Sequence, residues 1–272
     1  MNNKTTINLI SLGILCFLVF TGCKKEPETA TVASTSGKIK IEFSHFIGGN
    51  SLVLNSNQYI NEAGNHYEIY DLMYFVSDVK LYLHQKAPIM IDQWNAIHYV
   101  DAEIPSTLTW NVYDTIPQGV VDSVSFVFGI SEQRNQSFMF VNPPESNMAW
   151  PDILGGGYHY MMINGKWTDT QQMQQPFDFH LGIGQIYTDT ITYNTNSITG
   201  FVQNYFEVTL PTPGLSITAN NTSLLKLQMD VSSWFKTPHS WDFNYWGGSV
   251  MQRQRAMNVI KENGFNVFSV VQ

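Results

Sequence analysis

The chain has 272 residues, a net charge of −8 at pH 7, 13% charged residues and 14% aromatic residues. Nucleic-acid binding requires a basic surface, so this acidic chain is not expected to bind nucleic acid. Few charges and many aromatic residues are typical of an extracytoplasmic β-protein whose loops are polar but uncharged.

The N-terminal sequence predicts an export signal. An apolar stretch at residues 9–20 has the length of a signal-peptide core and is short for a membrane span. It ends in "FTGC" at Cys23, which resembles the lipobox of bacterial lipoproteins. We therefore predict a signal peptide at residues 1–22, lipidation of Cys23 and a flexible tether at residues 23–37. An ordinary signal peptide with an unmodified cysteine is the alternative.

Lipidation would hold the protein at a membrane, and we predict the bacterial outer membrane, on its periplasmic or surface side. Cys16 would leave with the signal peptide and Cys23 would carry lipid, so the mature fold would contain neither a disulfide nor a thiolate metal site. Residues 1–22 contain one lysine, so the mature net charge is −8 − 1 = −9. Residues 38–272 are long enough to bury the core of a single domain.

Alternation of apolar and polar residues predicts strands along most of this domain. "KIKIEF" at 38–43 alternates strictly, and the aromatic and β-branched stretch at 72–84 predicts a longer strand. Further candidate strands lie at 97–100, 123–130, 158–163, 177–181, 205–210 and 224–231.

Helical spacing is confined to residues 249–263, where Ser249 is a candidate cap and Gly264 a candidate stop, and "FNVFSVV" then predicts a last strand. The predicted fold class is all-β: a single β-sandwich of about nine or ten strands with a short C-terminal helix.

Standard catalytic strings are missing from the sequence. There is no G-x-S-x-G, H-E-x-x-H, C-x-x-C or phosphate-binding loop, and we expect the protein not to be an enzyme. Its seven histidines show no H-x-H or H-x3-H spacing, so a metal site would have to be assembled from different strands.

Three histidines are candidate ligands. His180 lies in "FDFHLG", where Phe177 and Phe179 face one way and His180 the other, toward the rim of the sandwich. His159 follows three glycines, and His45 follows the first strand. Each has a plain alternative, in which it is exposed or hydrogen-bonded to a neighbouring loop.

Methionines and a tryptophan surround these histidines in "MAWPDILGGGYHYMMING", residues 148–165. Thioethers suit Cu(I), although core filling is the commoner use of methionine. Met161 and Met162 are adjacent on a predicted strand, so at most one of them joins a site. Trp150 would cover a metal pocket or close the sandwich.

Several segments, taken in order, resemble the MbnP-like family of bacterial β-sandwich proteins, which are related to copper-binding proteins. They are "IKIEFSHFIGGNSLVLN", "YEIYDLMYFVSDVKLYL", "VDSVSFVFGIS", "RN", "MAW…GGGYHYMMING" and "FDFHLG". The resemblance extends over about residues 38–270, and the tail with its helix and final strand fits the Bacteroidetes-type members, which are commonly lipoproteins.

The resemblance implies copper held by histidines beside a tryptophan that a di-haem peroxidase-like partner oxidises to kynurenine. It places Trp150 at the first tryptophan of the family segment and His180 at the histidine of "HLG". Two positions depart from the pattern. Pro151 and a short insertion stand where the second tryptophan is expected, and Gln136 stands where some copper-binding members have a histidine.

Our leading hypothesis is a membrane-anchored copper-binding or copper-handling lipoprotein. His180 is the first ligand, His45, His159 or a methionine is the second, and Trp150 shields the metal; zinc is the alternative ion. The alternative function is a surface module without metal that binds glycans or peptides through aromatic residues of "HSWDFNYWGG", residues 239–248.

Overall fold

The computed structural model describes residues 35–55, 59–92, 96–189 and 191–271. Ser34–Gln272 forms one compact unit. The predicted signal peptide and Cys23 lie outside the described residues, and of the predicted tether only residues 35–37 are described. The first strand already begins at Ser36, two residues before the predicted domain boundary. Within the described ranges, no helix has both the length and the apolar character needed to cross a membrane.

The described residues contain seventeen strands and two α-helices. In chain order the strands are β1 (Ser36–Ile47), β2 (Asn50–Ser51), β3 (Tyr59–Ile60), β4 (His66–Leu83), β5 (Ile89–Met90), β6 (Ile97–Asp101), β7 (Thr109–Asn111), β8 (Ile116–Pro117), β9 (Gly119–Phe128), β10 (Met161–Thr168), β11 (Gln174–Leu181), β12 (Gly184–Tyr187), β13 (Ile198–Val202), β14 (Phe206–Pro211), β15 (Ser216–Ile217), β16 (Thr222–Asp230) and β17 (Phe268–Val271). The helices are α1 (Phe243–Trp246) and α2 (Gln254–Gly264). Short 3-10 turns lie at Pro105–Leu108, Glu145–Met148, Asp152–Leu154, Thr195–Ser197 and Val231–Phe235.

These strands form two large sheets and a small one. The six-stranded sheet has the order β17-β16-β1-β2, with β7 and β8 also paired to β1. The nine-stranded sheet has the order β11-β10-β4-β9-β14, with β15 on β9 and β3, β5 and β6 on β4. β12 and β13 pair separately. The β1–β16 pair is parallel, whereas the other ladders are antiparallel.

The main core lies between the two large sheets, as the alternation predicts. Ile39, Ile41 and Phe43 of β1 are buried, while Lys40 and Glu42 between them are only half-buried. Phe43 contacts Tyr74 of β4, and Phe268 of β17 packs edge-on against Phe126 of β9. The all-β class and the sandwich arrangement are therefore confirmed. The structure adds short edge strands of two to five residues, which are too brief to show a period in the sequence.

The C-terminal helix begins later than predicted. α2 starts at Gln254 rather than at Ser249, and the residue before it, Arg253, provides no side-chain cap. Ser249 instead forms an isolated parallel bridge with Asp178, and the Asp178 N–H donates to the Gly248 carbonyl at 2.8 Å. Because residues 248–249 run beside the edge strand β11, the chain cannot turn into a helix there.

β4 is buried on both faces. Tyr74 points into the core, while the adjacent Phe75 points to the opposite face and is equally buried. The segment between β9 and β10, residues 129–160, covers this outer face and is called the β9–β10 loop below. Phe140 of the loop stacks on Phe75 with ring centroids 5.5 Å apart, and Tyr158 packs edge-on against both. The covered outer face is where the candidate site lies.

Candidate metal centre

β11 brings His180 to the outer face of the nine-stranded sheet. Phe177, Phe179 and Leu181 are buried on the core side, so Asp178 and His180 point outward. His180 is paired in register with Met162 of β10, which is paired with Met73 of β4. Directly paired residues share a face, so these three side chains lie on the outer face together.

His159 reaches the same place from the β9–β10 loop. The loop doubles back on itself through an isolated bridge between Ala149 and Tyr158. The His159 N–H donates to the Met148 carbonyl at 2.7 Å, and ring atom Nδ1 lies 2.9 Å from the same oxygen. Two bonds to one carbonyl hold both the backbone and the ring of His159.

Trp150, His159 and His180 form one cluster. The rings of Trp150 and His159 meet edge to face with centroids 4.6 Å apart. The rings of His159 and His180 are nearly perpendicular, with centroids 5.0 Å apart. The structure thus brings together three of the four side chains that the sequence analysis proposed for the site.

The indole of Trp150 is held in place by two contacts. Its Nε1–H donates to the Leu154 carbonyl at 3.0 Å. Its ring lies against Gly182, where a Cβ atom would come within 2.6 Å of the six-membered ring. The "HLG" string therefore has a physical meaning: His180 joins the cluster, and Gly182 leaves space for the indole.

The three consecutive glycines close the loop over the site. Gly155, Gly156 and Gly157 have φ values of 118°, 71° and 76°, a region that side chains other than glycine adopt at a cost. This backbone path lets the Trp150 N–H donate to the Gly157 carbonyl at 2.8 Å. The glycines therefore bring the end of the loop, and His159 with it, back beside Trp150.

Asp78 anchors the start of the loop. Its carboxylate accepts from Arg134 Nε at 2.6 Å and from Ser131 Oγ at 2.7 Å. Asn135 Oδ1 accepts from the Tyr158 N–H at 2.9 Å and so ties the start of the loop to its end. The "RN" pair is thus structural, and the neighbouring Gln136 is exposed and hydrogen-bonded to Gln133.

Both histidines of the cluster are buried, with 6% exposure for His159 and 7% for His180. Burial lowers the pKa of His180 to about 4. Burial, with a smaller contribution from the adjacent His180, lowers the pKa of His159 to about 4, against the opposing effect of the Met148 and Ala149 backbone. Both rings are therefore neutral at physiological pH, which is the form of histidine that binds metals.

Among the residues that the structure describes, neither Nε2 of His159 nor Nδ1 of His180 has a hydrogen-bond partner. A backbone carbonyl can only accept, so the Nδ1 of His159 that faces Met148 carries the proton and its Nε2 carries the lone pair. Nε2 of His180 lies 2.7 Å from Asn164 Oδ1. The amide oxygen accepts, so Nε2 of His180 carries the proton and Nδ1 carries the lone pair. Unpartnered buried polar atoms are costly, and here both are lone pairs in adjacent rings.

The spacing of the two rings is compatible with a shared ligand. Ligand bonds of about 2 Å place two coordinating nitrogens no more than about 4 Å apart, a separation that rings with centroids 5.0 Å apart permit. Within the described ranges, no group of three or more His, Cys, Asp or Glu residues could hold a metal. The candidate centre is the histidine pair with its sulfur-containing neighbour Met162.

His45 lies elsewhere. Its Nε2 is 3.1 Å from the hydroxyl of Tyr74, which points into the core, so His45 and His180 are on opposite faces of the nine-stranded sheet. Burial alone lowers its pKa to about 4. The structure therefore does not bring His45 to the other candidates. Met161 likewise faces the core, and of the adjacent pair only Met162 lies on the side of His180.

A cleft of about 600 Å³ opens beside the loop. Phe138, Val141 and Tyr158 contribute to its lining, as does Trp150, but neither histidine of the cluster does. Trp150 is itself only 2% exposed. Trp150 therefore contacts both the cleft and the ring of His159.

The aromatic segment at residues 239–248 is less exposed than a stacking surface for ligands requires. Trp241 is fully buried and packs against Phe179 and Trp246. Tyr245 is 62% exposed, and Trp246 is half-buried beside Arg253 and Arg255. The predicted aromatic surface is thus reduced to Tyr245 and part of Trp246.

Three residues at the site were not predicted from the sequence: Gly182, Asn164 and Asp71. Asn164 shares the period-two face of Met162, which is a signal for its position, but its partners come from other strands. Its Nδ2 donates to Asp71 Oδ2 at 3.1 Å across 93 residues of sequence.

The fold and the site together are an all-β sandwich that buries two neutral histidines beside a tryptophan on the outer face of its larger sheet. The profile of the MbnP family matches residues 36–252, and the chain belongs to that family. The predicted family resemblance is thereby confirmed.

A solved structure has the same fold. MbnP from Methylosinus trichosporium is similar with a TM-score of 0.50 and 14% sequence identity, over 76% of this chain and 80% of that chain. Identity at this level shows a common fold alone. No curated protein matches the chain significantly.

Proposed function

We propose that this protein is a membrane-anchored, extracytoplasmic copper-binding protein in which His159 and His180 hold the metal beside Trp150. The observation that carries the proposal is the pair of unpartnered ring nitrogens, one on each of two buried neutral histidines in contact. Membership of the MbnP family supports a copper-related role in general. The proposed role is binding or handling of the metal, without catalysis.

Copper is favoured over zinc by the chemistry of the donors. Two imidazoles with a nearby thioether, that of Met162, suit the soft ion Cu(I). Bound copper would supply a redox-active centre at the edge of the indole. Zinc is the alternative ion for the same two nitrogens, and a direct competition between the two metals separates these cases.

Trp150 is proposed to shield the metal and to be the residue that a di-haem peroxidase-like partner modifies. Its support is the edge contact with His159 and its place in the lining of the cleft. Peptide mass mapping of protein isolated from its native host tests the modification. An unmodified Trp150 peptide there would remove the partner from the proposal but leave the histidine site in place.

The membrane anchor is proposed from the lipobox-like "FTGC" string at Cys23. Fractionation of cells that express the parent and Cys23→Ala tests this part. The parent should sediment with the outer membrane, and the variant should not be lipidated. Equal lipid labelling of both proteins would contradict the assignment of Cys23.

Copper binding is tested by competition with a chromophoric Cu(I) chelator, with His159→Gln, His180→Gln and His45→Gln compared. His45 is a matched control. It is only 8% exposed and its pKa is lowered to about 4, as in the two site histidines, but it lies on the core side of the sheet. We expect one Cu(I) per chain in the parent and in His45→Gln, and a loss of affinity greater than about 100-fold in the two site variants, since removal of a ligand exceeds the effect of removing an outer-shell partner.

Two results would overturn the assignment. If His159→Gln and His180→Gln retain the parental affinity while remaining folded, the histidine pair is not the site. If His45→Gln alone loses copper, the ligand lies on the core side of the sheet.

A further inference from the structure

Three strands contribute to a chain of hydrogen bonds that ends at His180. Asp71 of β4 and Asn164 of β10 are paired in register, and Asn164 is also paired with Asp178 of β11, two residues before His180. Asn164 Nδ2 donates to Asp71 Oδ2 at 3.1 Å, and Asn164 Oδ1 lies 2.7 Å from His180 Nε2. The three side chains lie on the outer face beside the proposed centre.

The direction of these bonds follows from Asp71. An ionised carboxylate only accepts, so the NH₂ group of Asn164 must face Asp71. The amide oxygen of Asn164 then faces His180 and can only accept, so the His180 nitrogen that it meets, Nε2, carries the proton. The lone pair of His180 is consequently on Nδ1, the atom that has no partner.

We propose that Asn164 and Asp71 are positioning residues that hold His180 in its Nε2-protonated tautomer and thereby keep Nδ1 as the ligand atom. Naming Nδ1 a ligand rests on the proposed function, but the tautomer is a property of the metal-free protein. Outer-shell acceptors of this kind fix the ring orientation of a ligand histidine and raise its basicity.

This arrangement differs from that of His159, whose proton is held by the Met148 backbone carbonyl. A backbone acceptor cannot be removed by substitution of a side chain, whereas the acceptor of His180 can. A side-chain substitution can therefore alter the proton acceptor of His180 but not that of His159. Asn164 is the residue at which this acceptor can be changed.

The test measures tautomer and affinity separately. Imidazole ¹⁵N shifts of the full-length, metal-free protein should show His180 protonated at Nε2 and unprotonated at Nδ1. Cu(I) affinity should fall by about 10- to 100-fold in Asn164→Leu, which keeps the volume but removes the acceptor. Asn164→Asp restores an acceptor and should bind at least tenfold more tightly than Asn164→Leu.

Asp71→Asn should lower the affinity less than Asn164→Leu, because the amide of Asn164 loses the carboxylate that fixes its direction but can still accept. Asp178→Asn is the matched control: it removes one negative charge on the same face, from an exposed side chain outside the chain of bonds. We expect it to stay within about twofold of the parent.

A parental His180 protonated at Nδ1 would overturn the proposal whatever the copper result. Parental affinity in Asn164→Leu, or a loss in Asn164→Asp equal to that in Asn164→Leu, would show that Asn164 only fills space. A correct tautomer in a protein that binds no copper would instead reject the proposed function and leave the positioning role intact.

Discussion

The two faces of β4 each bury histidine, but they leave it in different states. On the core side, His45 Nε2 faces the hydroxyl of Tyr74. On the outer side, His159 and His180 contact each other, and each retains one nitrogen without a partner. Burial and lowered pKa values are the same on both sides, so neither distinguishes a structural histidine from a candidate ligand. The unpartnered lone pair does.

The largest expected effect is a loss of folding stability at low pH, which buried histidines cause on either face of β4. Burial lowers the pKa of His45, and that of His98 in the core, to about 4. The unfolded chain, with a histidine pKa of about 6.5, then binds more protons than the folded one between pH 6.5 and 4, so stability decreases as pH falls through this window. Each histidine contributes about 3 kcal/mol to this loss. Urea unfolding of metal-free parent and His45→Gln should show a shallower pH dependence in the variant. Equal slopes would contradict the lowered pKa.

Added copper should distinguish variants on the two faces of β4 by its effect on thermal stability. Free Cu(I) at about 100 times its Kd stabilises a single site by about 2.7 kcal/mol, which raises the melting temperature by roughly 5–10 °C for a domain of this size. The parent and His45→Gln should both show this shift, and His180→Gln should not. A chelator should reverse it. A shift in all three proteins would place the metal away from the histidine pair.

Gly182→Ala should disturb the outer face alone. The added Cβ would lie 2.6 Å from the Trp150 ring, so the indole must move, at a cost of about 2 kcal/mol. Thermal melting and Trp fluorescence measure the effect. Gly200→Ala is the control, because its Cβ would meet only Ile186, at 3.4 Å, and its stability should change by less than about 0.5 kcal/mol. Equal melting temperatures for the two variants would contradict the close contact with the indole.

Tyr74→Phe should disturb the core side alone, by the smallest amount. It removes the hydroxyl that faces His45 and should cost about 1 kcal/mol, since His45 retains slight access to water. Chemical denaturation measures the loss, and copper affinity should be unchanged. A change in copper affinity equal to that of His180→Gln would show that the two faces are coupled.

Much of the fold could be predicted because strand faces are a local property. The alternation in "KIKIEF" and "FDFHLG" assigned the buried faces of β1 and β11 correctly, including the outward direction of His180. The predicted helix start at Ser249 was wrong. Ser249 could cap a helix only if this part of the chain were not paired with a strand, and it is bridged to Asp178 of β11.

The candidate site was predictable only in part. Trp150 and His180 followed from the family resemblance, whereas the second histidine remained open between His45 and His159. His45 lies three residues before a pair of glycines and His159 two residues after a triplet of glycines, so no local pattern separates them. Asn164 and Asp71 were missed because their contact depends on the register of β10 against β4.

The sequence by itself determined the strand faces and the family, because each depends on neighbouring residues or on the order of short segments. The tertiary structure decided that His159 rather than His45 meets His180, that Gly182 accommodates the indole, and which nitrogens keep their lone pairs. These depend on strand register and on closure of the β9–β10 loop, which join residues far apart in the chain and are set by the packing of the whole domain.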